Sequence, residues 1–290
     1  MKRCRIFRVV LIAVFMAAMA GCTTVPITGR SQFNTVPDPL INSMALQEYN
    51  SFLKDPETKL STDPDKTAMV QRVGKRIADA VERYMNENYM NDRIAGYKWE
   101  FNLVESKEKN AWAMPGGKVV VYTGLLEVTQ DDAGLAVVMG HEIAHAIAKH
   151  GAERMSQALM VTLGGIGLSQ AMKDKPEATR NIFLSSYGVG ASLAVILPYS
   201  RLHEKEADQL GLIFMAMAGY DPEAAVGFWE RMAASKEGSQ IPEFLSTHPA
   251  DQTRIQSIKE YLPEARRYYK PQGQQAPQSQ QTGKLGVYGL

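Results

Sequence analysis

Cysteine, long apolar runs and an excess of either charge are all scarce in this sequence. Only Cys4 and Cys22 occur among 290 residues, too few for a fold that depends on disulfides. The 32 basic and 31 acidic residues nearly balance and form no basic stripe, which argues against a nucleic acid as partner. The apolar stretches 9–20 and 158–168 are both shorter than the ~20 residues of a membrane-spanning helix.

The first 21 residues have the pattern of a secretory signal peptide. Val9–Ala20 is an unbroken run of 12 apolar residues, and Cys22 follows shortly after it. The run is preceded by a basic start that consists of Lys2, Arg3, Arg5 and Arg8. The junction Met19-Ala20-Gly21-Cys22 resembles a bacterial lipobox, in which the cysteine is lipidated and becomes the mature N-terminus. The alternative is an ordinary cleaved signal beside an incidental cysteine.

Lipidation of Cys22 would anchor the protein to a membrane through its N-terminus. Several acyl chains, at ~0.8 kcal/mol per buried methylene, hold such a protein firmly. Thr23 stands where an Asp would resemble the inner-membrane retention signal, so the resemblance implies the outer membrane, facing the periplasm. Loss of residues 1–21 leaves 28 basic and 31 acidic residues, a net charge of −3, and no thiol for a disulfide.

The remaining chain is predicted to form one α+β domain, mostly helical with a small mixed sheet. Residues 22–39, which contain several prolines and glycines, are interpreted as a tether, and residues 40–265 as the folded domain. Residues 266–290 are predicted to be a disordered tail, because a Gln-, Pro- and Gly-rich stretch cannot bury enough apolar surface. Helices are expected at 40–53, from 64 onwards and at 131–149, and strands at 99–103, 111–114 and 118–122.

The apolar, glycine-rich stretch 158–168 allows two interpretations. It is too short to span a bilayer, so we interpret it as a buried helix end that its glycines interrupt. An element that dips into a membrane is the alternative.

The strongest chemical signal is an H-E-x-x-H pattern inside the helix predicted at 131–149. At 3.6 residues per turn, His141 and His145 stack on one helix face, so two imidazole nitrogens can reach one metal ion. Glu142 lies about 100° further round, close enough to contact a water on the metal without being a ligand itself. This arrangement is typical of a zinc hydrolase.

A third protein ligand is expected, because a catalytic zinc normally takes three and leaves one position for water. The best candidate is Glu204, with Asp208 as its neighbour in the site, because the two lie at i and i+4 on one face of a predicted helix. His203 and Glu206 are rivals, but each points away from the face of Asp208. A solvated acidic helix is the alternative, and the apolar residues that continue this helix favour the metal site.

The combination of H-E-x-x-H with Arg201-x-x-Glu204-x-x-Ala207-Asp208 resembles the zinc metallopeptidases that include the CAAX prenyl protease, HtpX and the mitochondrial protease Oma1. The resemblance is nearer to the bacterial outer-membrane lipoprotein branch, of the LoiP type. It implies a zincin-like fold, with the sheet beside the H-E-x-x-H helix, and one Zn²⁺ per chain. It extends in order over Pro26–Arg30, Asn110–Gly117, Thr247–Pro249 and Arg254–Ile255.

The same resemblance assigns roles to the candidate site residues. It implies that His141, His145 and Glu204 hold the zinc and that Glu142 is the general base. Asp208 resembles the family's second acid, a proton donor. On physical grounds Asp208 fits equally well as a group that orients a histidine ligand.

Three further residues carry less defined expectations. His248 is interpreted as a stabiliser of the oxyanion or as an occupant of the fourth zinc position, with a turn histidine before Pro249 as the alternative. Arg254 is a catalytic candidate on the resemblance alone. His150 is expected to have a surface or capping role, because it precedes Gly151 near a predicted helix end.

Extended peptide substrates are expected to add to an exposed sheet edge above the zinc. That edge is predicted to consist of Asn110, Ala111, Trp112, Ala113 and Met114. Backbone pairing tolerates many sequences, which suits cleavage of unfolded or misfolded envelope proteins. The resemblance also implies association with outer-membrane assembly or with other envelope proteases.

Two other functions stay open at this point. One is a non-proteolytic periplasmic chaperone or binding lipoprotein, in which zinc has a structural or regulatory role. The other is a latent protease that His248 holds inactive. Glu142 favours an enzyme, because it would have no structural duty at a zinc site.

Overall fold

The computed structural model describes residues 22–191, 197–235 and 242–271. The signal peptide expected at 1–21, and residues 272–290 of the expected tail, lie outside the described residues. The described strands are β1 (Cys22–Thr24), β2 (Ser31–Phe33), β3 (Glu100–Val104), β4 (Ala111–Met114) and β5 (Lys118–Tyr122). The described α-helices are α1 (Asp38–Lys54), α2 (Pro64–Glu87), α3 (Thr123–Thr129), α4 (Asp132–Ile147), α5 (His150–Ala171), α6 (Glu177–Ala191), α7 (Leu197–Met217), α8 (Ala224–Ala234), α9 (Glu243–Thr247) and α10 (Gln252–Arg266).

A three-stranded mixed sheet lies against the helices, in the order β3-β5-β4. Strand β5 pairs in parallel with β3 and antiparallel with β4. Val119 of β5 lies opposite Phe101 of β3 and Ala113 of β4. The turn between β4 and β5 uses Gly116 and Gly117, each with φ of 86°, a region that favours glycine. The predicted fold class is confirmed: the chain is mostly helical with a small mixed sheet.

Helix α4, which carries the H-E-x-x-H pattern, is at the centre of the molecule. It begins where the Asp131 side chain accepts a hydrogen bond from the backbone N–H of Gly134 at 2.7 Å. Every residue from Gly134 to Ile147 is buried. A helix can be buried on all sides only when other elements surround it.

Helix α7 crosses α4 at a contact between two glycines. A Cβ built on Gly140 would lie 2.8 Å from the carbonyl oxygen of Gly211, and a Cβ built on Gly211 would lie 2.8 Å from the backbone nitrogen of His141. Only glycine therefore allows the two backbones to approach this closely. The contact brings Glu204 and Asp208 of α7 to the side of the α4 histidines.

The segment 22–39, interpreted as a tether from its composition, instead contains a β-hairpin of β1 and β2 that packs on the helical body. Val25 and Gln32 are buried, and the Gln32 amide donates to the carbonyl oxygen of Ala148 at 2.7 Å. The backbone N–H of Thr35 donates to Ser156 Oγ of α5. Pro and Gly shape the turn of this hairpin and do not make the segment a free linker.

The interpretation of 158–168 as a buried, interrupted helix end is wrong. Helix α5 runs without a break from His150 to Ala171, and several of its apolar side chains are exposed. Gly164 packs against the phenol ring of Tyr187 on α6, so it permits a close helix contact and does not end the helix. Among the described residues, no helix combines the length and apolarity needed to cross a bilayer.

Candidate metal centre

Four side chains from α4, α7 and the residue after α9 converge on one point: His141, His145, Glu204 and His248. One ligand atom of each lies within 4.8 Å of all the others. Nε2 of His141 is 3.1 Å from Nε2 of His145 and 3.4 Å from Oε2 of Glu204. Oε1 of Glu204 is 3.3 Å from Nε2 of His145.

These separations fit a tetrahedral zinc site. With zinc–nitrogen and zinc–oxygen bonds of ~2.0–2.2 Å, neighbouring donor atoms lie ~3.3 Å apart. The pairs among His141, His145 and Glu204 measure 3.1, 3.4 and 3.3 Å. Two imidazole nitrogens that face each other at this distance need a cation or a proton between them, because their lone pairs repel. The donor set therefore suits zinc.

Glu142 lies beside this group and does not belong to it. Glu142 is 4% exposed, and its Oε1 is buried without a hydrogen-bond partner among the described residues. The same Oε1 is 3.4 Å from Nε2 of His248. Burial raises the pKa of Glu142, which brings this carboxyl closer to the range useful for a general base near neutral pH.

Asp208 contacts His141 on the ring nitrogen that faces away from the other ligands. Its Oδ1 is 3.0 Å from Nδ1 of His141, and Arg254 binds both carboxylate oxygens at 2.7 and 2.8 Å. Arg254 also stacks on Trp229, with its guanidinium carbon 3.6 Å from the ring centroid. Asp208 and Arg254 thus fix the orientation of the His141 ring, and carboxylates commonly orient the histidine ligands of zinc in this way.

His248 approaches the group from the residue after α9. Its Nδ1 is 3.1 Å from Nε2 of His141 and 2.7 Å from Oε2 of Glu204. It therefore offers a fourth donor atom to the same metal position, as the expected role of a fourth zinc ligand requires. A plain turn histidine would not be enclosed by three site residues.

The rivals for the third ligand lie behind the metal group. Glu206 is bound to His150 and Arg30, and Nε2 of His203 is 2.9 Å from Oε2 of Glu153. These contacts leave Glu204 as the carboxylate of α7 that meets both histidines of α4.

The surface or capping role expected for His150 is wrong. Its ring is fully buried, with Nδ1 2.9 Å from Nδ1 of His145 and Nε2 2.9 Å from Oε2 of Glu206. The reason is the backbone of Lys149, whose φ of 57° turns the chain so that α5 starts behind α4. A polar residue after H-E-x-x-H was visible in the sequence, but nothing local indicated its burial.

The charges of the group are mutually compensated. Burial alone would raise the pKa of Glu204, but hydrogen bonds from His141, His145 and His248 outweigh it and lower that pKa strongly. Burial would lower the pKa of His141, but contacts with Asp208 and Glu204 raise it to about 9. Glu204 is therefore an ionised carboxylate, the form that binds a metal.

Residues 64–262 match the family model for peptidase family M48. The chain belongs to peptidase family M48. The M48 match spans the whole metal group, from α4 to Arg254.

Named relatives of this M48 chain are mitochondrial metalloendopeptidases and bacterial proteases. The mitochondrial metalloendopeptidase OMA1 of Saccharomyces cerevisiae is 31% identical over 253 residues, covering 84% of this chain and 70% of the relative. OMA1 of Schizosaccharomyces pombe is 36% identical over 243 residues, covering 83% and 66%. The β-barrel assembly-enhancing protease of Escherichia coli K12 is 25% identical over 260 residues, covering 84% and 50%. The chain thus spans between 50% and 70% of the length of these relatives.

In this M48 chain β4, which was predicted to bind substrate, is an edge strand of the three-stranded sheet. Strand β4 pairs with β5 on one side only, within the described residues, and it lies next to α4. Trp112 of β4 packs edge-on against Phe52 of α1 with ring centroids 5.1 Å apart. An unpaired strand edge next to the helix that carries His141 and His145 could accept an extended peptide by backbone pairing.

Proposed function

We propose that this protein is a zinc-dependent endopeptidase, anchored as a lipoprotein in the outer membrane, that cleaves unfolded or damaged envelope proteins in the periplasm. The observation that carries the catalytic part is the buried Oε1 of Glu142, which has no hydrogen-bond partner among the described residues and lies beside the group of His141, His145 and Glu204. A purely structural zinc site would not need a carboxylate held next to its ligands.

His141, His145 and Glu204 would hold one Zn²⁺. When bound, zinc supplies Lewis-acid chemistry, which polarises a peptide carbonyl and makes water a stronger acid. Glu142 accepts the proton of the attacking water at Oε1 as that water adds to the carbonyl carbon. The same carboxyl then delivers the proton to the amine nitrogen as the C–N bond breaks.

Substrate orientation would come from β4. An extended peptide pairs its backbone with this edge, so side-chain identity matters little and locally unfolded chains are preferred. The E. coli relative carries the name β-barrel assembly-enhancing protease, which supports envelope proteins as the substrate class and an association with outer-membrane assembly. A binding protein without catalysis is the second candidate, and it leaves the position of Glu142 unexplained.

Glu142→Gln tests the catalytic proposal. The variant keeps a side chain of the same size but cannot accept a proton, so we expect casein cleavage to fall by ~10²–10⁴-fold. Zinc content and thermal unfolding should stay as in the wild type. Glu87→Gln, at an exposed position near the end of α2, is the matched control and should cleave normally. Equal activity in Glu142→Gln and wild type would contradict the enzyme proposal.

Cys22→Ala tests the anchor. If Cys22 carries lipid, its loss should move the protein from the membrane fraction to the soluble fraction of the bacterial envelope, and should abolish labelling with a fatty acid. Cys4→Ala is the control, because Cys4 would be removed with the signal peptide. Membrane association that survives in Cys22→Ala would rule out this mode of anchoring.

A further inference from the structure

A buried polar cluster lies directly behind the metal group, on the side away from the shared donor point. It joins the β1–β2 hairpin to α5 and α7. His150 and Glu153 of α5 and His203 of α7 are each fully buried, and Glu206 of α7 is 3% exposed. The catalytic scheme above uses none of these residues. Burial of so many polar groups costs free energy unless each has a partner, so their contacts indicate what the cluster does.

One chain of contacts in this cluster runs from the N-terminal hairpin to a zinc ligand. Thr28 Oγ1 donates to Oε1 of Glu206 at 2.6 Å, and Arg30 Nε donates to Oε2 of Glu206 at 2.9 Å. Oε2 of Glu206 is 2.9 Å from Nε2 of His150, whose Nδ1 is 2.9 Å from Nδ1 of His145. Both Thr28 and Arg30 belong to the Pro26–Arg30 motif, for which the sequence suggested no role.

The donor and acceptor roles along this chain are determined. Glu206 is ionised beside Arg30 and can only accept, so Nε2 of His150 must carry a proton and donate it. Nε2 of His145 lies at the shared donor point, so at the proposed metal site the ring proton of His145 is on Nδ1 and is donated to Nδ1 of His150. Nδ1 of His150 is therefore the acceptor of this pair.

We propose that Thr28, Arg30, Glu206 and His150 form a positioning relay that sets the ring tautomer and orientation of the zinc ligand His145. The inference rests on the proposed metal site. His141 is oriented by a carboxylate, Asp208, whereas His145 is oriented by a second histidine that is itself oriented by a carboxylate. The relay makes the docked N-terminal hairpin a part of the metal site.

Two variants of His150 separate the relay from packing. His150→Leu removes the acceptor for Nδ1–H of His145, and we expect zinc affinity, measured by competition with a chelating indicator, to fall by ~10–100-fold. His150→Gln places an amide oxygen near the same position and should retain most of the affinity. A folded His150→Leu protein with wild-type zinc affinity would overturn the proposal.

A milder pair keeps the test usable if His150→Leu does not fold. Thr28→Val and Ser156→Ala each remove one hydroxyl that joins the hairpin to a helix, but only Thr28 belongs to the relay. We expect Thr28→Val to weaken zinc binding and Ser156→Ala to leave it unchanged. Equal zinc affinities in the two variants would show that the relay has no role.

The tautomers can be read directly in the wild type. Long-range ¹H–¹⁵N spectra of the zinc-loaded protein should show the proton of His150 on Nε2 and that of His145 on Nδ1. A proton on Nδ1 of His150 would overturn the relay. Because zinc affinity and tautomers are measured without proteolysis, a protein that binds zinc and cleaves nothing would count against the proposed function alone.

Discussion

Asp208 had two expected roles, and its contacts favour orientation over proton donation. Burial alone would raise the pKa of Asp208, but Arg254 and His141 outweigh it and lower that pKa. A carboxyl that stays ionised cannot donate a proton near neutral pH. Its bond to Nδ1 of His141 instead directs the Nε2 lone pair towards the shared donor point.

Latency can be tested at His248, which offers a fourth donor to the metal position. If His248 occupies that position at rest, His248→Ala should open it to water and raise the rate of casein cleavage. Zinc should remain bound, because His141, His145 and Glu204 are unchanged. Parallel measurements of zinc content and initial rate decide the point.

A fall in the rate for His248→Ala, with zinc retained, would count against latency. In that case His248 would contribute to the reaction itself. Its Nε2 lies 3.4 Å from Oε1 of Glu142, the proposed base, and stabilisation of the oxyanion would then be its expected role.

At the scale of elements, the metal group depends on how closely α4 and α7 approach. Gly140 and Gly211 are 71 positions apart in sequence, and no local signal indicates that they meet. The sequence contains the two glycines but does not indicate that they touch, and the H-E-x-x-H spacing predicts only that the α4 histidines share a helix face. The crossing of the helices is a tertiary feature, because it depends on which faces are buried together.

Gly211→Ala should separate these helices. The added Cβ would meet the backbone nitrogen of His141 at 2.8 Å, so the backbones must move apart. We expect a loss of ~1–3 kcal/mol in the free energy of unfolding, together with weaker zinc binding. Gly151→Ala, in α5 with no atom within 4 Å of its added Cβ, is the matched control. Denaturant unfolding that is identical in the two variants would contradict this account of the contact.

At the scale of the whole molecule, the buried cluster behind the metal predicts sensitivity to acid. Burial alone would raise the pKa values of Glu153 and Glu206, but hydrogen bonds from histidine and from Arg30 outweigh it and lower both to about 2. Burial lowers the pKa of His150 to about 4. All three shifts favour the unprotonated form in the folded protein, so the unfolded chain binds more protons in acid.

The contribution of His150 to the free energy of unfolding should therefore be complete above pH ~6.5, and that of the two carboxylates above pH ~4.5. The contribution of His150 should be lost as the pH falls towards 4, and that of the carboxylates as it falls towards 2. Unfolding of chelator-treated protein, followed from pH 7 to 3, tests this without a contribution from metal release. Glu153→Gln should show a shallower loss between pH 4.5 and 3. An equal slope in this variant and the wild type would contradict the role assigned to the cluster.

The exposed apolar side chains of α5 show how far composition reaches for a whole molecule. The stretch 158–168 is apolar and was expected to be buried, yet Leu163 and Ile166 are 53% and 60% exposed. Apolar content measures a tendency to leave water. It does not say which surface, in this chain or outside it, provides the cover.

The sequence by itself determined the local chemistry of this protein. Helical periodicity placed His141 and His145 on one face, with Glu142 beside them, and the turn Pro115-Gly116-Gly117 between two predicted strands placed the β4–β5 hairpin. These features depend on neighbours within a few residues, so the 3.6-residue period and the turn residues are sufficient to predict them. Glu204 was accessible only as a candidate among acidic residues on one helix.

Tertiary structure alone decided which distant groups meet. It joined Glu204 to the α4 histidines, bound Asp208 to Arg254, buried His150, and docked the hairpin that carries Arg30 against α5 and α7. Each of these contacts links residues far apart in sequence, and each compensates a charge or polar group that burial would otherwise make costly. The backbone spacing of one segment carries no information about which other segment supplies that partner.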